Sequence, residues 1–148
     1  MNEPSGPVAR ECVEGYLYST PSLRVLLFRR PPRRGGFWVP VSGKVESGDR
    51  DFESALAREL AEETGLTRPV RPETLDWHVR FRADNGETWR LHAYAVRVEG
   101  GFRPTLSEEH DAFEWVSPEE GIARLHFPDN QEAVRRLVAL RSDGSPNV

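Results

Sequence analysis

The order of predicted strands and helices along this chain limits the folds that it can adopt. Residues 8–18 and 23–28 are two apolar segments joined by a short turn, which predicts a pair of strands. A third extended piece covers residues 37–41, after a loop at 31–36 that is rich in Pro, Gly and Arg. With the later segments, the predicted order is three strands, a helix, three strands and two helices. This order predicts an α/β/α sandwich, in which helices cover both faces of a mixed β-sheet.

Local signals mark the ends of the first two helices. Asp51 can cap a helix over residues 51–64, and Gly65 stands where that helix should end. Ser117, followed by proline and two glutamates, predicts the start of the second helix.

The second half of the chain also predicts a hairpin, a further strand and a last helix. Asn85-Gly86 is a strong signal for a tight turn between two strands. The three predicted strands of this half cover residues 75–82, 88–98 and 113–116. Asp129 predicts the cap of a helix over residues 130–140, whose apolar residues form one stripe.

The composition fits one soluble domain. The chain has 148 residues, 37% of them hydrophobic, and a net charge of −4, so two separate cores would not fit comfortably. We expect one domain over residues 8–141, flexible ends at 1–7 and 142–148, and a monomer or homodimer. Cys12 is the only cysteine, which excludes an internal disulfide and favours a reducing compartment. Apolar runs are far shorter than the roughly 20 residues that cross a membrane, so no membrane partner is expected. Residues 1–10 lack the basic stretch and apolar core of a secretory signal, so we expect a cytoplasmic protein.

Charges are distributed unevenly along the chain. Five arginines and no acid lie between residues 24 and 34, whereas seven acids lie between residues 46 and 63 and six between 108 and 120. Lys44 is the only lysine among 20 basic residues. Two explanations of this arginine bias stay open, genomic codon usage and bidentate phosphate binding. The acidic total argues against a nucleic-acid coat protein, and no stable nucleic-acid partner is expected.

Glu59, Glu62 and Glu63 lie on one face of the first predicted helix, because they are spaced i, i+3 and i+4. Three like charges so close repel one another, and a divalent cation would offset that repulsion. Carboxylates are the hard oxygen ligands that Mg²⁺ and Mn²⁺ prefer. A solvated acidic face, balanced by Arg58 and other basic neighbours, is the alternative interpretation of these residues taken alone.

Two stretches around this helix resemble the signature box of the Nudix hydrolases, which cleave nucleoside diphosphates linked to another group. They are GKVESGD at residues 43–49 and RELAEETGL at residues 58–66, and the second matches the family pattern at every specified position. The resemblance implies a Nudix-type fold and Mg²⁺, or Mn²⁺, held by the three glutamates, with Glu62 and Glu63 also among the catalytic groups. It further implies a backbone carbonyl ligand from Gly43 and a water that attacks phosphorus in line.

The first stretch departs from the family pattern in two ways. Asp49 stands where the family has glutamate, and eight residues instead of seven separate it from Arg58. An extra residue inside the helix would rotate everything after it by about 100°, so we expect it in the turn around residues 50–51. In the family these two positions pair and brace the loop, and the shorter Asp49 is expected to pair less well.

Three further stretches look most like the bacterial pyrophosphohydrolases that act on dATP and dihydroneopterin triphosphate. They are residues 37–46, 106–115 and 129–134. In those enzymes a loop glutamate just before a histidine reaches the metal site, which implies that Glu109 is a candidate general base. A solvated loop acid is the alternative. His110 is expected to keep a pKa near its ordinary value and to orient the loop.

Candidate substrate contacts precede the acidic helix. In many Nudix enzymes an arginine at a strand end contacts phosphate, which implies this role for Arg29 or Arg30. Lys44 is either a further phosphate contact or a solvated lysine. Several aromatic residues could stack on a base or pterin, although most large aromatics belong to the core. They are Trp38, Trp77, His78, Phe81 and Trp89.

Three functions stay open at this point. Mg²⁺-dependent release of pyrophosphate from a nucleoside or pterin triphosphate is favoured. A dinucleoside polyphosphate hydrolase is the second, because residues 48–56 are also similar to the asymmetric diadenosine tetraphosphate hydrolases. A nucleotide-binding module without hydrolysis is the third, although such proteins usually lose box glutamates and this chain keeps all three.

Overall fold

The computed structural model describes residues 4–142, and residues 1–3 and 143–148 of the predicted flexible ends lie outside the described residues. Within this range the strands form one mixed sheet with helices packed on it. The strands are β1 (Arg10–Ser19), β2 (Arg24–Arg29), β3 (Trp38–Val39), β4 (Val41–Lys44), β5 (Glu73–Arg82), β6 (Thr88–Arg97) and β7 (Ala112–Val116). The helices are α1 (Phe52–Thr64), α2 (Pro118–Arg124) and α3 (Pro128–Ser142), and a 3₁₀ turn covers Pro32–Arg34.

The sheet is built around β1. One edge of β1 pairs with β6 in parallel, from Arg10 to Tyr18. The other edge pairs antiparallel with β4 over residues 12–15 and with β2 over residues 17–19. β2 also pairs with β3 and β7, and β6 with β5, all antiparallel. The sheet is therefore mixed, as predicted.

Helices cover both faces of this sheet. Leu56 and Leu60 of α1 are fully buried in the core on one face, and Val134 and Leu137 of α3 are fully buried in the core on the other. Each such leucine contributes about 1.5–3 kcal/mol through burial. Alternate residues of β1 and β2 point to opposite faces, which explains why both strands are buried at most positions. The predicted α/β/α sandwich is confirmed.

The predicted ends of the first two helices are also confirmed. The side chain of Asp51 accepts a hydrogen bond of 2.7 Å from the backbone N–H of Ser54. Gly65 ends α1 with a φ of 76°, a left-handed conformation that glycine adopts without strain. The hydroxyl of Ser117 accepts from the backbone N–H of Glu120 at 3.1 Å and caps α2.

Two local predictions were wrong. Residues 37–41 form two strands, because Pro40 separates β3, which pairs with β2, from β4, which pairs with β1 and extends to Lys44. The last helix begins at Pro128, one residue before the predicted cap, so Asp129 lies in its first turn. Proline is favoured at a first helical position because no N–H is needed there. Among residues 4–142, none of the helices is long and apolar enough to span a bilayer.

Candidate active site

The three glutamates of α1 differ in surroundings and in exposure: Glu59 lies against β4, Glu63 contacts the loop over residues 105–111, and Glu62 faces solvent. Glu59 is 7% exposed, and its carboxylate lies against the backbone of Gly43 in β4. A Cβ atom on this glycine would stand only 2.0 Å from the Glu59 carboxyl carbon, so only glycine allows this approach. Glu63 is half-buried and accepts a hydrogen bond from the Ser107 hydroxyl. Glu62 is exposed.

Burial perturbs the two inner carboxyl groups. Desolvation raises the pKa of Glu59 to about 7, although the neighbouring Arg58 guanidinium opposes this change. Desolvation also raises the pKa of Glu63, against the hydrogen bond from Ser107. The negative charge of Glu62 raises both values further. Such carboxyl groups become ionised more readily when a cation lies beside them.

Arg58 joins the first part of the signature to the helix. Its Nε donates to Asp49 Oδ1 at 3.0 Å and its Nη2 to Asp49 Oδ2 at 2.8 Å. Nη2 also donates to the carbonyl of Lys44 at 2.9 Å, and Nη1 donates to Glu59 Oε2 at 3.0 Å. The pKa of Asp49 falls to about 2, first because of Arg58 and then because of the backbone N–H of Glu46. The expected weakening of the Asp49–Arg58 pair is not observed.

Arginines at the end of β2 and in the segment that follows it contact the acidic loop that precedes β7. Arg34 forms an ion pair with Glu109, and Arg29 Nε lies 2.9 Å from Asp111 Oδ1. Arg30 is half-buried between Arg34 and Glu109 in electrostatic range of both, and burial lowers its pKa. The basic and acidic segments seen in the sequence are therefore neighbours in space.

His110 is the buried residue of this loop. It is 8% exposed, and its ring packs against Phe28 with 5.2 Å between centroids. Nδ1 is 4.0 Å from Glu63 Oε1 and has no hydrogen-bond partner among residues 4–142. Burial lowers the pKa of His110 to about 4, and Arg30 and Arg34 lower it further. The expected pKa near the ordinary value was wrong, so the imidazole is neutral at pH 7.

Trp38 and Lys44 lie in different surroundings. Trp38 in β3 is half-buried, with the guanidinium carbons of Arg29 and Arg124 at 5.8 and 5.6 Å from its ring centroid. Lys44 is exposed at the end of β4, with Nζ 5.1 Å from the ring centroid of Trp89. The structure thus brings Trp38, but not the Lys44 ammonium, to Arg29 at the end of β2.

The remaining aromatic candidates contact other parts of the fold. Their neighbours are the Asp129 carbonyl for Trp77, His92 for His78, and Trp89 for Phe81. These contacts join α3 to β5 and β5 to β6, so they favour structural roles.

Sequence reasoning missed three residues of this region. Ser107 orients Glu63 and also accepts a hydrogen bond of 3.1 Å from the backbone N–H of Glu109. Arg34 holds the Glu109 carboxylate, and Glu46 Oε2 lies 3.5 Å from Arg58 Nη1. The arginine cluster was a visible signal for Arg34, whereas a lone serine in a loop carries none.

The donor groups fit a hard divalent cation, although their arrangement in this structure is not a complete ligand set. In the described part of the chain, no three acidic, histidine or cysteine side chains converge as a metal site. The positive charge beside these carboxylates comes from Arg58, whose Nη1 forms an ion pair with Glu59 and lies 3.5 Å from Glu62 Oε1. The available donors are oxygen atoms, the kind that Mg²⁺ binds. They belong to the desolvated carboxyl groups of Glu59 and Glu63, to the exposed carboxylate of Glu62, and to the backbone of Gly43.

Known proteins are similar to this chain in sequence and in fold. Residues 15–137 match the family described as NUDIX domain. The chain is 35% identical over 122 residues to the CTP pyrophosphohydrolase of Escherichia coli, covering 80% of this chain and 85% of that protein. It is 41% identical over 122 residues to an octanoyltransferase of Myxococcus xanthus, of which it spans only 33%. The structure of the E. coli dihydroneopterin triphosphate pyrophosphohydrolase has a TM-score of 0.77 at 20% identity, covers 90% of this chain and 99% of its own, and shows the same fold.

Proposed function

The chain belongs to the Nudix family and is an enzyme that hydrolyses phosphorus-containing anhydrides, and within this class we propose that it is a Mg²⁺-dependent pyrophosphohydrolase of nucleoside or pterin triphosphates. One observation carries the proposal. The desolvated Glu63 is bound by Ser107 of the loop that carries Glu109, Glu59 lies one turn earlier on the same helix against Gly43, and Arg34 reaches the same loop. Groups suited to a cation therefore adjoin groups suited to phosphate.

Glu59, Glu62, Glu63 and the carbonyl of Gly43 would hold the cation. When bound, it neutralises phosphate charge, polarises the phosphoryl oxygens and lowers the pKa of a coordinated water. Arg58 positions Glu59 by holding its carboxylate and the preceding loop at once. Its Nη1 also lies 3.5 Å from Glu62 Oε1, so Glu62 would have to leave the guanidinium in order to hold a cation.

Glu109 is the general base of the proposed reaction. It accepts a proton from the attacking water while the water oxygen bonds to phosphorus. The bridging P–O bond breaks, and pyrophosphate leaves with the electron pair of that bond. Because Arg34 pairs with Glu109, a bound phosphate competes for the guanidinium and frees the carboxylate. Ser107 keeps Glu63 and the loop backbone together during this exchange.

Arg29, Arg30, Lys44 and Trp38 are proposed to contact the substrate. Arg30 is the best placed for phosphate, because its partly desolvated guanidinium lies beside Arg34 and gains from a nearby anion. Arg29 and Trp38 lie together at the ends of paired strands, where the indole could stack on a base or pterin. The Lys44 ammonium would have to move away from the Trp89 ring in order to reach a phosphate.

The test is turnover with Mg²⁺ of deoxynucleoside triphosphates, dihydroneopterin triphosphate, diadenosine tetraphosphate and ADP-ribose, with product identification. Glu62→Gln is compared with Glu53→Gln, an exposed glutamate in the first turn of the same helix. Glu109→Gln is compared with Glu108→Gln, its exposed neighbour. We expect pyrophosphate from a triphosphate, large losses in Glu62→Gln and Glu109→Gln, and near-normal activity in the two controls.

Other outcomes contradict particular parts of the proposal. Full activity in Glu62→Gln removes that residue from the metal site, and full activity in Glu109→Gln moves the base elsewhere, with Glu63 the next candidate. Preferred cleavage of diadenosine tetraphosphate supports the dinucleoside polyphosphate alternative. Nucleotide binding without turnover of any substrate in Mg²⁺ or Mn²⁺ supports a binding module.

A further inference from the structure

Two histidines face each other across the hairpin formed by β5 and β6. His78 and His92 are paired in the strand register, and their Nδ1 atoms lie 2.8 Å apart. His78 is exposed on β5, the edge strand of the sheet, whereas His92 is only 7% exposed. Neither residue takes part in the reaction proposed above. The pair therefore presents two imidazole nitrogens that a single ion could reach from solvent.

An irregularity in β5 produces this pairing. Between Thr74 and His78, β5 has two more residues than the segment of β6 opposite. Asp76 lies inside the irregularity and has a φ of 52°, a left-handed conformation that is uncommon for residues other than glycine. A regular register would place Asp76, not His78, opposite His92. The irregularity therefore directs the His78 imidazole to His92, as bulges beside functional sites commonly do.

Glu11 fixes the orientation of the buried imidazole. Its Oε1 lies 2.7 Å from His92 Nε2, and its two carboxylate oxygens accept hydrogen bonds from Arg90 at 3.1 and 2.6 Å. Arg90 holds the pKa of Glu11 below its ordinary value, so the carboxylate is ionised and can only accept. The His92 proton is therefore on Nε2, and burial lowers the pKa of His92, so the lone pair of Nδ1 faces His78. Phe52 of α1 stacks on the same ring, with 4.3 Å between centroids.

Metal-binding histidines use the same arrangement. A ligating histidine almost always donates its second ring N–H to a carboxylate, a carbonyl or a water, which orients the ring and makes the ligating nitrogen more basic. Imidazole nitrogen suits Zn²⁺, Ni²⁺ and Cu²⁺, whereas Mg²⁺ prefers oxygen. Two nitrogens that each lie about 2.0–2.1 Å from an ion, at a right angle, are about 2.9 Å apart. The observed separation of 2.8 Å is close to this value.

We propose that His78 and His92 bind one divalent transition-metal ion of the Ni²⁺ or Cu²⁺ type through their Nδ1 atoms, with Glu11 as the carboxylate behind His92. These ions favour tetragonal coordination, in which neighbouring ligands stand at right angles. Only two side chains ligate the ion, in agreement with the lack of a three-residue metal cluster among residues 4–142, and water completes its coordination. The ion replaces the proton between the two Nδ1 atoms, and His78 is then protonated on Nε2. The site shares no residue with the proposed reaction.

The experiment is calorimetric titration of the full chain with Ni²⁺ in excess Mg²⁺, which competes for the glutamates of α1. The test variant is His78→Gln, and the matched control is His126→Gln, an exposed histidine between α2 and α3. Changing an outer carboxylate typically costs 10–100-fold in affinity, so we expect a loss in this range for Glu11→Gln and at least about tenfold for His78→Gln. His126→Gln should bind like the unmodified chain. Glu62→Gln should do so too, which separates this site from failure of the proposed reaction.

Cu²⁺ locates the site independently, because its unpaired electron broadens nearby amide resonances. Broadening should be strongest at Val79 and Leu91, the pair next to the two histidines. The electron paramagnetic resonance spectrum should show splitting from imidazole nitrogen that His78→Gln reduces. Broadening centred on residues 59–63 would overturn the proposal, because the ion would then occupy the glutamates of α1. Unchanged Ni²⁺ affinity in His78→Gln, or equal losses in this variant and in His126→Gln, would overturn it as well.

Discussion

Replacing Gly43 by alanine tests the central contact of the site. Glycine at this position lets the Glu59 carboxylate lie against the backbone of β4, and a Cβ atom would lie 2.0 Å from the carboxyl carbon and 2.1 Å from Oε2. Real Cβ contacts essentially never fall below 3.0 Å, so the carboxylate has to move by about 1 Å. It also moves relative to Arg58 Nη1, now 3.0 Å away.

A displacement of this size is large for catalysis and small for folding. Misplacing a catalytic group by 1 Å can reduce turnover about 100-fold. Gly43 is only half-buried, and the atoms that a Cβ would meet are the far end of the flexible Glu59 side chain, which can shift at little cost. We therefore expect kcat to fall about 100-fold, while the urea midpoint of unfolding changes little.

Gly48 provides the matched control for this substitution. It lies in the same signature stretch, its φ is not in the left-handed region, and a Cβ atom there would meet nothing within 4 Å. The assay is pyrophosphate release at saturating Mg²⁺, together with Mn²⁺ binding followed by electron paramagnetic resonance. Gly43→Ala should lose both signals and Gly48→Ala neither. Equal activity of the two variants would refute the reasoning, because the close approach of Glu59 would then not matter.

Three further substitutions test other contacts. Arg34→Gln should raise KM for a triphosphate about tenfold with a smaller effect on kcat, since a charged phosphate contact is lost; an equal effect of Arg33→Gln would contradict this. Asp49→Glu should lower both turnover and the urea midpoint, because the carboxylate already makes two good hydrogen bonds and an added methylene displaces it; unchanged values would show that the loop adapts freely. Glu14→Gln should make the fall in stability between pH 4.5 and about 7 less steep, because burial raises the pKa of Glu14 to about 7 and the folded chain keeps a proton that the unfolded chain releases. Glu59, whose pKa is also raised to about 7, keeps its own share of that fall. Urea unfolding from pH 4 to 8 measures this slope, and parallel curves for the two proteins would count against it.

Local chemistry explains which elements could be predicted. Asp51 and Gly65 act through hydrogen bonds and backbone angles of their immediate neighbours, so the sequence contains all the information needed. The same holds for Ser117 and the helix that it caps. The burial of β1 and β2 at most positions likewise fits a sheet that is covered on both faces.

Long-range contacts explain what could not be predicted. β3 and β4 separate because they pair with different strands, a choice made outside residues 37–41. The low pKa of His110 depends first on burial and then on the charges of Arg30 and Arg34, which are distant in sequence. The pairing of Arg34 with Glu109 spans 75 residues. Charge clusters predicted that such segments exist, but only the fold determines which members meet.

The extra residue of the signature illustrates how a departure in sequence can leave the site intact. Helix α1 starts at Phe52, and Asp51 caps it, so the added length lies in the preceding loop and does not rotate the helix. The three glutamates therefore keep their common face. The loop folds back through a hydrogen bond of 2.9 Å from the Asp49 N–H to the Glu46 carbonyl, and the Asp49 carboxylate accepts from the Glu46 N–H at 2.7 Å. This turn brings the backbone of residue 49 close enough to Arg58 for the shorter aspartate to reach both guanidinium nitrogens, so the added residue and the shortened side chain compensate each other.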